Sequence, residues 1–253
     1  MNAQLKAFLE TGNQECLHKF RVQAKKLRAM LFLFEGTSKE NDLLRYFKPV
    51  RKVFKHAGRI REAHMNLLLT KQYELKNDLF ETSQHKIIDD GTSEFKAREG
   101  EFFKDIKDAH KQVKKQLHKV DDKQIAAYYQ NQLEQIAAAL KTSGFTEDMH
   151  TNRKLIKILV YNHKLAENAL NGSVPLNIAY LDNLQEAIGK WHDNIVAVEL
   201  FSSPELNDKP VISKITRMNS GVKRRISTLA KNFLKKAMTI ERPRRIKTSP
   251  TAK

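Results

Sequence analysis

The fold of this chain is decided by residues 17–28, LHKFRVQAKKLR, and by the apolar positions that continue this stretch to Phe34. Apolar side chains recur there in steps of three and four, which places them on one line along a helix. The apolar line consists of Leu17, Phe20, Ala24, Leu27, Leu31 and Phe34. The stretch therefore predicts an amphipathic helix that packs this line into a core.

A line of basic residues lies one position behind the apolar line, formed by His18, Arg21, Lys25 and Arg28. Like charges at this spacing repel one another, and acidic residues would normally be interspersed among them. Glu15 and Glu35 lie only at the two ends of the stretch. The line indicates an anion-binding site, and the alternative is a solvated basic face, the usual meaning of a charge run.

The pattern recurs once along the chain. A shift of 132 residues superimposes Gly12 on Gly144, His18 on His150, Arg21 on Arg153 and Lys25 on Lys157. A second block follows each copy, GRIRE at 58–62 and GKWHD at 189–193. Repeated units of this size predict two pseudo-symmetric helical bundles packed as one unit, residues 1–120 and 121–240. His18 and His150 have a second interpretation, as buried histidines whose nitrogens are satisfied by backbone or carboxylate groups.

The composition favours a polyanionic partner. The 253 residues carry 46 Lys and Arg against 29 Asp and Glu, a net charge of +17. With 40% hydrophobic residues the chain can bury a core, and its single cysteine excludes an intrachain disulfide. No secretory signal and no run near the roughly 18 apolar residues of a membrane span is present. We therefore expect a soluble cytoplasmic protein with no membrane partner.

The periodicity near 3.6 residues, with only 9 glycines and 6 prolines, predicts an all-α protein. We expect helices over residues 13–35 (ended by Gly36), 37–58 (begun by a Thr37–Glu40 capping box and kinked at Pro49) and 59 into the 70s. Residues 81–93 read as a loop. Further helices are expected over 94–120, 122–141, 147–170, 175–201 with an interruption at Gly189, and 208–238. The basic tail 241–253 is expected to be disordered.

Two further basic lines accompany apolar lines. In the helix over 94–120 the line is Lys104, Lys107, Lys111, Lys114 and His118, and in the last helix it includes Arg217, Arg224, Lys231 and Lys235. Two cationic helices in one bundle repel if their charged faces meet without water. We therefore predict that Arg21, Lys25 and Arg28 share one hydrated groove with the lysines of residues 104–114.

The stretch 17–28 resembles the signature helix of the CHAD family, the conserved histidine α-helical domain, in which His, Arg, Lys and Arg recur at this spacing. The second copy, His150, Arg153, Lys157 and Tyr161, resembles the second signature helix of that family. The two glycine blocks resemble its paired Gly-x-x-Arg-Asp elements, and the resemblance covers about residues 5–238. Three positions depart from the pattern: Val160 replaces an arginine, Glu62 an aspartate, and His192 a basic residue before Asp193.

The resemblance implies a groove that binds inorganic polyphosphate. Together with the charge lines, it yields the candidate binding residues His18, Arg21, Lys25, Lys26, Arg28, Arg61, Lys104, Lys107, Lys111, Lys114, His118, His150, Arg153, Lys157, Arg217, Arg224 and Lys231. Many members are fused to a triphosphate-tunnel catalytic domain, whose Glu-x-Glu-x-Lys strand motif is not found here. We expect a standalone, non-catalytic member without cofactor, located in the cytoplasm with polyphosphate granules.

Two other partners stay open: nucleic acid at low salt, and an acidic protein for which the chain is a basic scaffold. Against nucleic acid, the phenylalanines fall on apolar lines and no recognition-helix pattern is present. The sequence contains no visible arrangement of a nucleophile and a neighbouring base, and this disfavours an enzyme. The cationic surroundings of the histidines disfavour a metal site. The sequence leaves the oligomeric state open.

Overall fold

The computed structural model describes residues 1–38, 42–117, 119–142, 144–170 and 174–239. These residues form ten α-helices and one 3-10 helix, with no strand among them, so the all-α prediction is confirmed. The helices are α1 (Asn2–Thr11), α2 (Gln14–Thr37), the 3-10 helix (Leu43–Phe47), α3 (Lys48–Gln72), α4 (Asp78–Ala97), α5 (Glu99–Gln116), α6 (Asp122–Thr142), α7 (Glu147–Leu170), α8 (Ile178–Phe201), α9 (Lys209–Ala230) and α10 (Phe233–Ala237). In the part of the chain so described, none of these helices has the length and apolarity to cross a bilayer.

Helix α2 begins as predicted and ends later. The side chain of Asn13 caps it by accepting a hydrogen bond from the Glu15 amide at 2.8 Å. Gly36 does not end the helix. A Cβ at Gly36 would lie 2.2 Å from Cε2 of Tyr128 on α6, so this glycine permits close helix packing. The Thr37 hydroxyl donates to the Leu33 carbonyl inside α2, so the expected Thr37 capping box is wrong, and Glu40 lies outside the described residues.

Helix α3 differs from the prediction at Pro49 and at Gly58. Pro49 lies in the first turn of α3 and produces no kink, because the amide that proline lacks has no partner in the first turn of a helix. The helix then continues without a break through Gly58, so the predicted division between residues 58 and 59 is wrong. Gly58 is therefore an interior position of a 25-residue helix.

Helix α4 replaces the loop predicted over residues 81–93. Asn77 caps it by accepting from the Phe80 amide at 2.9 Å, and Phe80, Gln84 and Phe95 are buried along one face. A Cβ at Gly91 would lie 2.8 Å from Cγ1 of Ile60, so this glycine is a point of contact with α3. Helices α4 and α5 meet at Arg98, so the single helix predicted over 94–120 is two helices, the second ending at Gln116.

In the second half, α6 and α7 agree with the predicted helices, and two later expectations are wrong. Helix α8 runs without interruption through Gly189, which is buried. The last helix breaks after α9 at Asn232, whose backbone is left-handed at φ 55°, and this turn places Phe233 in the core beside Tyr180. The predicted tail 241–253 lies outside the described residues.

The helices pack around several apolar clusters joined by α2 and α7. In the first, Leu5, Phe8 and Phe20 pack with Phe95 and Phe102 of α4 and α5. The largest joins α6, α7 and α8 around Tyr129, Leu159 and Trp191. Helix α2 packs directly against α7, and Asn162 Nδ2 donates to the Ala29 carbonyl at 2.7 Å across this contact. This contact brings two of the predicted basic lines together.

Candidate anion-binding site

The centre of the candidate site is Lys25 on α2. Its side chain reaches solvent, although the helices beside it desolvate the amine in part. This burial, with the positive charges of Arg21, Lys157 and Arg153, lowers the pKa of Lys25 to about 8, while Asp193 opposes the shift. The residues that shift this pKa lie on α2, α7 and α8. We call Arg21, Lys25, Arg153 and Lys157 the central cluster.

An aromatic ring lies at the edge of the central cluster. Tyr161 of α7 has the Lys157 amine 5.3 Å from its ring centroid and the Lys26 amine of α2 at 5.9 Å. A ring face attracts cations, so Tyr161 draws one lysine from each helix to the same place. This contact adds Lys26, one of the predicted residues, to the margin of the cluster.

Arg21 is held on the surface of α3. Its Nη1 donates to the Phe54 carbonyl at 2.6 Å, and its guanidinium carbon lies 4.0 Å from the centroid of the Phe54 ring. A Cβ on Gly58 would come within 2.8 Å of the same Nη1. Gly58 therefore makes the space in which the guanidinium lies flat against α3.

Arg153 is held on α8 in the corresponding way. Its Nε donates to the Gln185 carbonyl at 3.1 Å, and a Cβ on Gly189 would come within 2.8 Å of its Nη2. In both halves the carbonyl acceptor stands four residues before the glycine. Each arginine uses part of its five donors on backbone and has others that these hydrogen bonds do not use, so both are positioned donors rather than mobile surface charges.

His18 lies beside this group in the first half. Its ring is exposed, so the alternative of a buried histidine does not hold here. Partial desolvation and the charge of Arg61 lower the pKa of His18, and Glu15 acts in the opposite direction. His18 therefore stands near Arg61 as a predominantly neutral imidazole that can donate one hydrogen bond.

His150 in the second half differs from His18. Its ring stacks on His192 with centroids 3.9 Å apart, and its Nδ1 is buried without a hydrogen-bond partner among the described residues. Burial first, and then the neighbouring His192, lower the pKa of His150 to about 4. At neutral pH His150 therefore adds ring surface rather than positive charge to the site.

The remaining predicted cations outside the four residues of the central cluster lie on α2, on α3, on α5, and on α9 or at its end. Arg28 lies 5.1 Å from the Phe32 ring, and burial and the charge of Arg51 lower its pKa. Its counterpart Val160 packs against the apolar cluster around Trp191, which explains the missing arginine in the second half. Helix α5, which packs on α3 and the 3-10 helix, carries the exposed Lys104, Lys107, Lys111 and Lys114. Helix α9 carries the exposed Arg217 and Arg224, and the exposed Lys231 follows its last residue. His118 lies outside the described residues.

Two cations at the surface of α3 were not among the predicted binding residues. Lys55 and Arg59 line a shallow cavity of about 370 Å³ together with Arg21, Gly58 and Arg61. Both flank Gly58 in the sequence, so their place beside the glycine block could have indicated them. In the described ranges, no group of three or more His, Cys, Asp or Glu side chains could hold a metal ion.

Comparison with known proteins establishes the class of this protein. The model of the CHAD domain family matches residues 1–202 of the 253, so the chain belongs to this family. The match contains Arg21 with Gly58 and Arg153 with Gly189, which we call the arginine clamps, and the whole central cluster. It ends before α9 and α10. No match was found among curated proteins. Membership is consistent with the binding of polyphosphate in general.

Proposed function

We propose that this chain binds inorganic polyphosphate, without catalysing a reaction, at the central cluster where α2 meets α7. The observation that carries this proposal is the convergence of Arg21, Lys25, Arg153 and Lys157 from two helices. Among the described residues none of these four forms an ion pair. The cluster therefore has positive charge available for a bound anion.

A chain of phosphates suits this arrangement for two reasons. Gathered cations repel one another, and a polyanion relieves the repulsion while releasing its own counterions. The two clamped arginines present fixed guanidinium donors, which phosphate oxygens accept as charge-assisted hydrogen bonds. Because one arginine belongs to each half, a phosphate chain longer than a few units can bridge them.

We also infer that the two halves are structural repeats. The matched clamps support this. Arg21 and Arg153 each donate a guanidinium N–H to a backbone carbonyl four residues before a glycine, and each guanidinium lies close to that glycine. A repeat of this kind doubles the number of positioned donors along one groove. It also provides a physical reason for the pKa of Lys25, because the lysine lies where the two copies meet.

Polyphosphate is favoured over nucleic acid by the positions of the aromatic rings. Proteins that bind single strands stack bases on accessible rings, whereas Phe20, Phe102 and Trp191 are buried in the apolar clusters. Tyr161 is half-buried between Lys26 and Lys157. The site thus offers dense charge with few stacking surfaces, which suits a ligand without bases. We also propose that the protein acts in the cytoplasm, at polyphosphate granules.

A competition experiment tests the choice of ligand. Long-chain polyphosphate, single-stranded DNA and duplex DNA are titrated at equal phosphate concentration and one salt concentration. We expect polyphosphate to displace both nucleic acids. A nucleic acid that displaces polyphosphate would contradict the proposal and favour a nucleic-acid-binding protein.

A pair of double variants tests the place of binding. Lys25→Ala with Lys157→Ala removes two charges from the central cluster, and Lys107→Ala with Lys111→Ala removes two exposed charges from α5 as a matched control. We expect the first pair to weaken polyphosphate binding by about tenfold more than the control, measured by titration at fixed salt. Equal losses would mean that binding depends on total charge, or that α5 shares the groove as the sequence suggested.

A further inference from the structure

We propose that a cavity between α6, α7 and the turn from α9 to α10 binds a single alkyl chain with an anionic head, such as a long-chain carboxylate. The cavity has a volume of about 850 Å³ and shares no lining residue with the central cluster. The family match ends at residue 202, before the α9 and α10 wall of the cavity begins. This inference therefore goes beyond the proposed function and does not depend on it.

The walls of the cavity suit a flexible alkyl chain. The apolar lining includes Leu140 of α6, Met149 of α7, Ile226 of α9 and Phe233 of α10, and the last three of these are buried. Unbranched and aliphatic side chains of this kind adapt to an inserted chain by changing rotamer. Binding sites for small molecules typically have volumes of about 300–1,000 Å³ and mostly apolar walls. The cavity thus has the size and the lining of a site for an apolar group.

The packing of the first half gives a reason for this cavity. Three buried rings pack together there, since the ring centroid of Phe95 lies 6.3 Å from that of Phe8 and 4.8 Å from that of Phe102. The shift from GRIRE to GKWHD relates Phe95 to Ile226, and the shift between the two signature helices relates Phe8 to Leu140. Under the inferred repeat, smaller aliphatic side chains replace two of the three rings. Unfilled apolar space costs free energy, which an inserted alkyl chain recovers through packing contacts.

Three lysines give the cavity a cationic mouth. Lys141 of α6, Lys231 of the turn and Lys235 of α10 line the cavity and are exposed. No Asp or Glu belongs to its described lining, and in the described ranges none of the three lysines forms an ion pair. Ser227 and Asn232 complete the polar part of the lining and offer hydrogen-bond donors. The anionic head of an amphiphile therefore meets uncompensated positive charge at the mouth.

Charge and apolarity together select this occupant over others. The segment 241–253 that follows α10 in the sequence has five basic residues and one acidic residue, and its only large apolar side chain is Ile246. The lysines at the mouth repel such a segment, and they equally repel a second copy of this chain with its net charge of +17. Polyphosphate has the matching charge but no apolar part. An anionic amphiphile matches both the walls and the mouth.

Trp191 allows binding in this cavity to be measured directly. It is the only tryptophan of the chain, and its ring centroid lies 5.7 Å from that of Phe145, which lines the cavity. Bromine on an alkyl chain quenches tryptophan fluorescence at close contact. The full chain is titrated with dodecanoate that carries bromine on its chain, below the concentration at which micelles form. We expect saturable quenching with one ligand per chain. A brominated dodecyl chain with a quaternary ammonium head should bind about tenfold more weakly, because the lysines repel it.

Displacement of the brominated ligand tests the apolar part. Unlabelled hexanoate, octanoate, decanoate and dodecanoate are compared, and we expect the affinity to rise about fourfold for each added methylene until the cavity is full. Vesicles of phosphatidylglycerol present the same anionic charge in a bilayer and should not displace the ligand. Displacement by the vesicles, or affinities that do not depend on chain length, would overturn the inference in favour of a membrane surface or of simple charge attraction.

Variants test the place of binding. Ala230→Phe places a ring at the cavity wall and should weaken quenching by at least about tenfold without a change of charge. Lys141→Gln with Lys235→Gln removes two charges from the mouth and should weaken it by about tenfold. The matched control, Lys107→Gln with Lys111→Gln, removes two exposed charges from α5 and should have little effect.

The outcomes separate this inference from the proposed function. Equal losses from the two double variants, or full quenching in a folded Ala230→Phe, would show that the ligand does not lie in the cavity. If the chain binds polyphosphate and brominated dodecanoate leaves the fluorescence of Trp191 unchanged, this inference is wrong and the proposed function stands. If dodecanoate binds as expected and polyphosphate does not, the proposed function fails alone.

Discussion

His150 and His18 occupy equivalent positions in the sequence and differ in their surroundings. His18 is exposed near Arg61, whereas His150 stacks on His192 with a buried Nδ1 that has no partner among the described residues. The difference follows from the neighbour on the facing helix, since GRIRE and GKWHD place different side chains beside the two histidines. The two histidines therefore differ in burial and in the neighbours that lower their pKa values.

The folded state should lose stability as the pH falls because of His150. Its pKa is about 4 in the fold and near 6.5 when unfolded, so between these values the unfolded chain binds the proton first. The contribution of His150 to the free energy of unfolding is therefore fully present above pH 6.5, and it is lost as the pH falls towards 4. The groups facing the ring are His192, Lys154, Glu147 and Arg153.

The variant His150→Phe keeps a ring against His192 and removes the titrating nitrogen. We expect the Tm of this variant to fall less than that of wild type between pH 7 and 4.5. The difference between the two falls should be about 2–4 °C after allowing for solvent screening of a half-buried ring. The control His110→Phe, on the exposed side of α5, should follow the wild-type curve. Thermal melts across this pH range decide the question, and an unchanged slope in His150→Phe would contradict the assignment.

Several glycines inside the helices of this protein mark contacts between helices. Gly36 of α2 faces Tyr128, Gly58 of α3 faces Arg21, and Gly189 of α8 faces Arg153. In a single sequence such a glycine has the same appearance as a helix terminator. The contact with another element, rather than the conformational freedom of glycine, explains each of the three.

We predict opposite effects for alanine substitutions at two interior glycines, because only one of them contacts a neighbouring helix. Gly36→Ala would place its Cβ 2.2 Å from a ring carbon of Tyr128, and we expect destabilisation by about 1–3 kcal/mol. Gly221→Ala, in the interior of α9 with no atom within 4 Å of the new Cβ, should stabilise the fold by about 1 kcal/mol through helix propensity. Denaturant unfolding of both variants measures the two values. A stabilised Gly36→Ala would show that Tyr128 does not pack there.

The whole molecule carries a net charge of +17, and its helices α2 and α7 meet at their basic lines. Such a protein holds electrostatic repulsion in its folded state. A ligand that neutralises the charge and binds only the folded state adds stability according to its concentration and affinity. The length of the ligand matters, because the donors of the central cluster come from both halves.

Polyphosphate should therefore raise the Tm in proportion to its length. A ligand at a hundred times its Kd adds about 2.7 kcal/mol to the free energy of unfolding. We expect a large shift with long polyphosphate, a smaller one with tripolyphosphate and the smallest with orthophosphate at equal phosphate concentration. All shifts should shrink as salt rises. Thermal melts at low and high salt provide the measurement, and equal shifts from the three ligands would argue against a continuous site.

By itself the sequence determined the helical class, the limits of α6 and α7, and which residues share a line on each helix. These follow from local periodicity, since residues three and four apart share a face wherever a helix forms. It also identified Arg21, Lys25, Arg153 and Lys157 as candidates, through their spacing and repetition. The polar composition of residues 81–93 concealed α4, because its few buried positions are spread over a long and mostly polar stretch.

Only the tertiary structure decided which of the basic lines meet. Lys25 and Lys157 are 132 positions apart in the sequence, and the packing of α2 on α7 brings them together, while the lysines of α5 face solvent on another helix. The arginine clamps depend in the same way on glycines of a neighbouring helix. Spacing along one helix specifies a face, but the partner of that face is selected by the packing of apolar side chains from distant parts of the chain.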